Sequence, residues 1–431
     1  MNTAAAALLP PRMNALERFL RARLVAHLGR LRHGRLELHD AMGSVALGTG
    51  EAGAAAVRLE VLDPAFYRAV AAGGSVGAGE AYRDGLWRCS APGLDGSDAL
   101  VQLVRLLVRN RALLDGLESG WASLAGALRR AWHATRGNTR LGSRRNIAAH
   151  YDLSNAFFGL FLSPDLMYSS ALWADGPDTL EAASTRKLEA VCRRLALSSA
   201  DHVLEIGTGW GGFALHAARH YGCRVTTTTI SREQYELALE RIRAAGLERR
   251  IEVRLEDYRD LTGRYDKLVS IEMIEAVGAD HLEEYFAAIG RLLQPHGAAL
   301  LQAITIEDHR YRQALESVDF IKRHVFPGSF IPSVNAMLAA KTCASDLALV
   351  GLEDFGESYA RTLEAWRKRF MARLADVRAL GFDERFIRLW EFYLAYCEGG
   401  FRERALGVAH LKLAKPLWRH DRREPGQWMA C

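Results

Sequence analysis

The sequence predicts a doubly wound α/β domain preceded by a smaller α+β unit. Three observations predict it. From about residue 180, short apolar runs alternate with helical stretches, the order of a parallel sheet covered on both faces. The first of those runs ends in a glycine-rich turn, "VLEIGTGWGGF" (203–213), which opens directly into a helix. Residues 1–120 instead mix helices with short alternating strands and lack that regular order.

Residues 16–31, "LERFLRARLVAHLGRL", place Phe19, Leu20, Leu24, Val25 and Leu28 at helical spacing between arginines. "GRLELHD" and "AAAVRLEVLD" read as strands, with "MGSVALGTGEAG" as a turn-rich link. "DPAFYRAVAAGG" and "DALVQLVRLLVRNRALL" read as helices. The arginine-rich stretch at 121–146, with scattered Gly, Ser and Asn, reads as a basic linker, and 147–431 as the larger domain. Within that domain a helix (181–195) precedes the strand "HVLEIG" and a second helix (213–220). Then come the strand "CRVTTTTIS", the helix "REQYELALERIRAAG" and the strands "RIEVRLED" and "YDKLVSIE". The helix "DHLEEYFAAIGRLL" and the strand "AALLQAITI" follow, then helices at 362–379 and 383–398 and a candidate strand at 404–414. In such a sheet, ligands bind off the carboxyl ends of the strands.

The chain has 431 residues, 49% hydrophobic and 25% charged, with a formal net charge of +5. That is ordinary globular composition with ample core. The arginines at 129–145 suit an anionic surface such as a lipid head-group layer, and no aromatic–basic module accompanies them to suggest nucleic acid. The six cysteines form no CxxC pair and no cluster of metal-ligand spacing, so neither a disulfide framework nor a metal site is expected. The N-terminus lacks a signal-peptide pattern, and no apolar run reaches transmembrane length.

The glycine-rich turn carries Glu205, Gly207, Gly209 and Gly211 at alternate positions. Glycines let the backbone turn tightly and approach a ligand. The spacing GxGxG, with an acid two residues before the first glycine, favours S-adenosylmethionine over a dinucleotide. That ligand has no pyrophosphate to be met by a helix N-terminus. The next strand ends without the usual ribose-binding acid, which leaves Ser231 and Gln234 as candidate contacts. Asp257, after the third strand, is a candidate for the adenine edge and equally for a helix N-cap. After the fourth strand, "VSIEMIEAVG" (269–278) sets Glu272 and Glu275 in an apolar frame, where carboxylates are costly unless paired or used.

With these pieces in place, the chain resembles the cyclopropane-fatty-acyl-phospholipid synthase family. "FYRAVAAGGSVGAGEAYRDGLW" (66–87), "HYDLSNAFFGLFLSPDLMYSSALW" (150–173), "TTISREQ" (228–234), "EDYRDL", "SIEMIEAVG", "FPGSFIPS" (326–333), "FGESYARTLEAW" (355–366) and "YCEGGFR" (396–402) carry the resemblance. It implies a seven-stranded methyltransferase sheet and an N-terminal lipid-associated domain. It also implies a peripheral enzyme on the cytoplasmic face of the membrane, often a homodimer, acting on unsaturated acyl chains of phospholipids. Tyr168 and Ser169 would touch the cofactor. In the family a bicarbonate ion serves as base. Carried over, its ligands are Glu275, the backbone of Ile304 and Tyr359, with Ser170 in place of a cysteine and Gln302 in place of a histidine. Serine and glutamine still hydrogen-bond, but Gln302 does not titrate.

An alkene is a weak nucleophile and a sulfonium methyl a strong electrophile, so such a site must be apolar, tolerate transient positive charge and supply a base. Tyr168 and Phe320 are candidates for the aromatic wall, Phe320 equally for plain core. Three rivals stay open: an acyl C-methyltransferase leaving a methyl branch or methylene, a small-molecule N-methyltransferase, and a lipid-binding module. The N-terminal domain counts against the second, and the complete glycine turn with Glu275 and Tyr359 against the third.

Overall fold

A computed structural model describes residues 12–49, 56–115 and 154–419, to which every structural statement below refers. The basic linker at 121–146 lies outside the described residues. The chain divides into two compact units, Met1–Ala131 with Leu374–Glu403, and Trp132–Arg373 with Arg404–Cys431.

The first unit opens with α1 (Ala15–Leu28), whose N-terminus is closed by a reciprocal capping box between Asn14 and Glu17. Strands β1 (Leu36–Asp40), β2 (Gly43–Leu47), β3 (Val57–Val61) and β4 (Trp87–Ser90) form a sheet in the order β2-β1-β3-β4. The turn-rich link expected at 42–53 therefore contains β2, paired antiparallel with β1 from Leu36↔Leu47 to Asp40↔Gly43. Its sequence hides it because only Leu47 is buried, so no apolar alternation marks the strand. Helices α2 (Ala65–Arg83), α3 (Gly96–Arg109) and α4 (Arg111–Leu114) follow.

The second unit begins with α5 (Asn155–Phe158), α6 (Leu180–Arg194) and β5 (His202–Ile206). Next come α7 (Gly212–Tyr221), β6 (Arg224–Thr229), α8 (Arg232–Ala244), β7 (Ile251–Leu255) and β8 (Tyr265–Ile271). They are followed by α9 (Leu282–Leu292), β9 (Leu293–Ile306), α10 (Asp308–Glu316), α11 (Phe320–His324) and α12 (Val334–Ala344). β10 (Ala348–Asp354) and α13 (Gly356–Ala372) precede the excursion α14 (Leu374–Ala379) and α15 (Glu384–Arg402), and β11 (Leu406–Ala414) ends the fold. The seven-stranded sheet runs β10-β11-β9-β8-β5-β6-β7, with β11 antiparallel to both neighbours. This is the doubly wound methyltransferase sheet expected from the sequence. Its interior strand β5 is covered on both faces, with Val203, Leu204 and Ile206 buried. The edge strand β10 was not recognised in sequence because Leu349, Val350 and Leu352 are exposed and its polar residues follow no clean alternation.

The last helices depart from the expected boundaries. The helix expected from 362 starts at Gly356, and the expected single domain 147–431 is interrupted, since Leu374–Glu403 belongs to the first unit. The reason is the apolar face of α15. Gly399 lies so close to α3 that a Cβ there would meet Val104 Cγ1 at 2.5 Å. Tyr82 donates to Glu391 Oε2 at 2.9 Å, and Arg105 and Arg109 both pair with Glu403. "YCEGGFR" is thus a helix-packing element of the first unit.

Candidate active site

The site lies at the carboxyl ends of β5, β8 and β9. Three turns build it, each fixed by a local requirement of its sequence. After β5, Gly207, Gly209 and Gly211 all take positive φ (99°, 51° and 84°), a region costly for residues with a Cβ. A Cβ on Gly209 would meet nothing within 4 Å, so that face of the turn is open to a ligand. The structure thus fits the cofactor the sequence implies: a bare backbone concavity backed by an acid. Glu205 is 2% exposed and accepts from Thr227 Oγ1 at 2.7 Å. Burial pushes its carboxyl up to about 8, against the opposing pull of Thr227 and Lys187.

After β8, Glu272 adopts φ 49°, a left-handed conformation uncommon for a residue with a side chain and usual at sites where strain is held by function. That turn aims its carboxylate back across the strand ends. Oε1 accepts from the Ser170 amide at 2.8 Å and from Gln302 Nε2 at 2.7 Å, and Oε2 accepts from the Tyr359 hydroxyl at 2.7 Å. Three segments far apart in sequence therefore converge on Glu272. Burial raises its pKa, opposed by Tyr359, Ser170, Gln302 and the charge of Lys187.

Glu275, on the following 3₁₀ turn, is differently placed. Oε1 accepts from the Ile304 amide at 2.6 Å, and Oε2 is buried with no hydrogen-bond partner among the described residues. Burial, then repulsion from Glu272, pushes its carboxyl up to about 8. The two neighbouring acids differ in hydrogen bonding: Glu272 accepts from three donors, while Glu275 keeps one buried oxygen bare among the described residues.

The resemblance makes Tyr359 and Glu275 joint ligands of one anion; in the structure the Tyr359 hydroxyl donates to Glu272. Ser170 Oγ donates to the Ala171 carbonyl, and Gln302 uses its amide on Ser170, Glu272 and His410. Ile304 N–H is taken by Glu275. The groups that would ligate bicarbonate are thus engaged with the protein's own atoms. A further anion beside Glu272 and Glu275 does not fit this arrangement.

The remaining expected residues are placed as follows. Ser169 accepts from Lys187 Nζ at 2.9 Å. The Tyr168 ring lies 5.2 Å from Phe158, 5.2 Å from Trp366 and 6.4 Å from Phe326, in an aromatic group that Tyr359 joins through Trp366. Phe320 is buried in α11 beside His324. Ser231 caps α8 through the Gln234 amide, and Gln234 Oε1 accepts from Thr229. Both are buried supports of the β6 turn. Asp257 forms a turn with the Arg259 amide and a paired contact with its guanidinium.

Two residues were missed. Lys187 of α6 is fully buried; burial pulls its ammonium down to about 8, while Asp165, Glu272 and Glu205 push it up. A signal was present. Leu180, Ala183, Ser184, Leu188 and Val191 mark the buried face of α6, and Lys187 falls on it. His410 sits among buried Val408, Ala409, Leu411 and Leu413 on β11, where Lys412 is the other polar residue, the same kind of signal.

A profile of the mycolic acid cyclopropane synthetase family matches residues 139–411. The chain belongs to this family. It is, by that membership, an S-adenosylmethionine-dependent methyltransferase. It is 38% identical over 369 residues to the tuberculostearic acid methyltransferase of Mycobacterium tuberculosis (strain ATCC 25618 / H37Rv), covering 84% of each chain. It is 35% identical to the cyclopropane-fatty-acyl-phospholipid synthase of Escherichia coli (strain K12), covering 82% of this chain and 86% of that one. Among solved structures, a cyclopropane synthase of Mycobacterium tuberculosis superposes with TM-score 0.59 at 27% identity, over 63% of this chain and 98% of that one. A mycolic acid cyclopropane synthase complexed with SAH and CTAB matches equally well. The cyclopropane synthetase family thus accounts for the sheet, the glycine turn and lipid-modifying chemistry.

Proposed function

We propose that the protein transfers a one-carbon unit to the cis double bond of unsaturated acyl chains in membrane phospholipids and closes a cyclopropane ring. The observation that carries the reading is the unlike carboxylate pair, Glu272 held by three donors and Glu275 with one bare buried oxygen. S-adenosylmethionine supplies a methyl group activated on a cationic sulfur, and the residues around Glu205–Gly211 with Tyr168 and Ser169 would hold it. The acyl chain becomes cationic when its π pair takes the methyl. Glu272 and the faces of Tyr168, Trp366 and Tyr359 favour that charge. Glu275 Oε2 takes the proton that leaves the added methyl, the electron pair left behind closes the ring, and Glu275 returns it to solvent after product release.

A second reading is an acyl C-methyltransferase that leaves a methylene or, with a separate reductant, a methyl branch. The tuberculostearic acid methyltransferase relative favours it. The two share the first cation; in the second a 1,2-hydride shift moves the charge onto the methyl-bearing carbon before the methyl loses its proton, and the electron pair left behind forms C=CH₂ instead of a ring. Membrane docking by the first unit fits α1, where Leu16 and Phe19 are more than half exposed and Arg23 lies over the Phe19 ring. Among the described residues no helix is long and apolar enough to cross a membrane. A peripheral position on the cytoplasmic face, and a homodimer, are part of the same proposal.

Incubation with S-adenosylmethionine and vesicles of monounsaturated phospholipid tests it. The expected product gains one CH₂ and shows cyclopropane protons by NMR. A CH₂ gain with olefinic methylene protons would establish the second reading instead, and unchanged lipid would overturn both.

A further inference from the structure

Gln302 faces two acceptors, Glu272 Oε1 at 2.7 Å and the Ser170 carbonyl at 3.2 Å, with an amide that could present either nitrogen or oxygen to them. The nitrogen is right only if something on the other side requires the oxygen. That something is on the next strand. Gln302 of β9 and His410 of β11 are directly opposed in register, and His410 Nε2 lies 2.9 Å from Gln302 Oε1. The other ring nitrogen of His410 meets Arg194, which also pairs with Glu353 of β10. A guanidinium only donates, so His410 Nδ1 is an acceptor and the ring proton sits on Nε2. That N–H donates to Gln302 Oε1, which turns the amide nitrogen toward Glu272 and Ser170. A reversed amide would set its oxygen against a carboxylate and a carbonyl. Each link in the line has one polarity, set at its outer end by an arginine.

The line is also rigid. His410 and Gln302 are buried, the Arg194 side chain is 8% exposed, and the Phe355 ring packs edge-on to the imidazole at 4.7 Å. Burial and the charges of Arg194 and Lys187 keep the imidazole neutral.

We propose that His410, oriented by Arg194, is a positioning residue for the methyl transfer: through Gln302 it fixes the Glu272 carboxylate in the orientation that receives the cationic acyl chain. This rests on the functional reading above. It explains how a glutamine that cannot titrate serves at this position, because its task is to point one way. A preoriented charge acts at the transition state more than in the ground state.

The experiment compares His410→Gln and His410→Leu with the wild type on monounsaturated phospholipid vesicles, with the histidine tautomer read from ¹⁵N NMR. Glutamine at 410 accepts from Arg194 and donates to Gln302 in the same sense, so kcat is expected to stay within about 3-fold. Leucine removes the polarity, and kcat is expected to fall at least about 10-fold with KM for S-adenosylmethionine little changed. Arg194→Met, which keeps the imidazole but frees its tautomer, is expected to lower kcat in the same way and serves where His410→Leu does not fold. The wild-type spectrum is expected to show a neutral Nε2–H imidazole that disappears in His410→Gln. An Nδ1–H tautomer, or full kcat in His410→Leu or Arg194→Met, would overturn the proposal. The spectrum needs no lipid, so a wild-type protein that modifies no acyl chain but shows the Nε2–H tautomer would overturn the functional reading and leave the hydrogen-bond line standing.

Discussion

At the scale of single residues, protonation dominates the site. Glu275 must be ionised to accept a proton, and in the free protein its carboxyl is pushed up to about 8. The kcat/KM profile is therefore expected to rise with pH through a midpoint near 8, since that ratio reports the free enzyme. A bound cationic cofactor favours the carboxylate, so the midpoint in kcat should lie lower. Glu275→Gln should abolish turnover while calorimetry shows cofactor binding intact; residual turnover above about 1% would remove Glu275 from the proton step. Glu205 is also raised to about 8, and Glu205→Gln, which leaves the pH rise in place, separates the two acids. Lys187 is the counter-charge to Glu205 and Glu272. A carboxylic acid raised above its unfolded pKa makes the folded state the better proton binder between those two values, so stability falls as pH rises through that window. Lys187→Met widens the window. Its destabilisation should grow from pH 6 to pH 9 and reach about 3 kcal/mol in denaturant unfolding, the cost of leaving a buried charge unpaired. What the sequence showed at this scale was position, not partnership. Glu272, Glu275 and Tyr359 were all legible. That Tyr359 bonds Glu272 follows from the left-handed turn at Glu272, which no spacing reveals.

At the scale of elements, the glycine turn separates two roles that look alike in "GTGWGG". Gly209 has an open face, whereas a Cβ on Gly212 would lie 2.6 Å from Met167 Sδ and 2.7 Å from the Asp165 carbonyl. Gly209→Ala is expected to cost stability about 1 kcal/mol for its positive φ and to weaken cofactor binding more. Gly212→Ala should destabilise by about 1–3 kcal/mol, because it forces apart the start of α7 and the loop that carries Tyr168, Ser169 and Ser170. Thermal melts with and without S-adenosylmethionine distinguish the two. On α1, Phe19→Glu should weaken binding to anionic vesicles while changing unfolding free energy by less than about 0.5 kcal/mol, as an exposed substitution does. Elements with one strong signal were read well. β5 and β9 are apolar runs after helices, β6 is a β-branched threonine run after α7, and β8 is an apolar run after β7; all were placed. β2 and β10 escaped because β2 buries only Leu47 and β10 no residue, too little to leave a pattern.

At the scale of the whole molecule, the order of the chain is not the order of its units. The first unit is begun by residues before 115 and completed by α15, after most of the second unit has been made. The linear domain division drawn from the sequence missed this, because a helix's partner is not written in its own periodicity. Residues 12–115 without 374–403 should be poorly stable, lacking the helix that packs on α2 and α3. A chain stopped at 403 should lose the second unit's fold, since β11 joins β9 to β10. Circular dichroism of both fragments checks these expectations. The same detour has a consequence in time. A ribosome adding about 5–20 residues per second needs on the order of 15–60 s to travel from the end of α3 to the end of α15. For that interval the faces of α2 and α3 are made but uncovered, and β11 with His410 emerges only after α15. The nascent protein therefore passes through a long adhesive stage, during which a chaperone or a nearby lipid surface competes for the groove that its own helix will later fill, and it can catalyse nothing until β11 arrives.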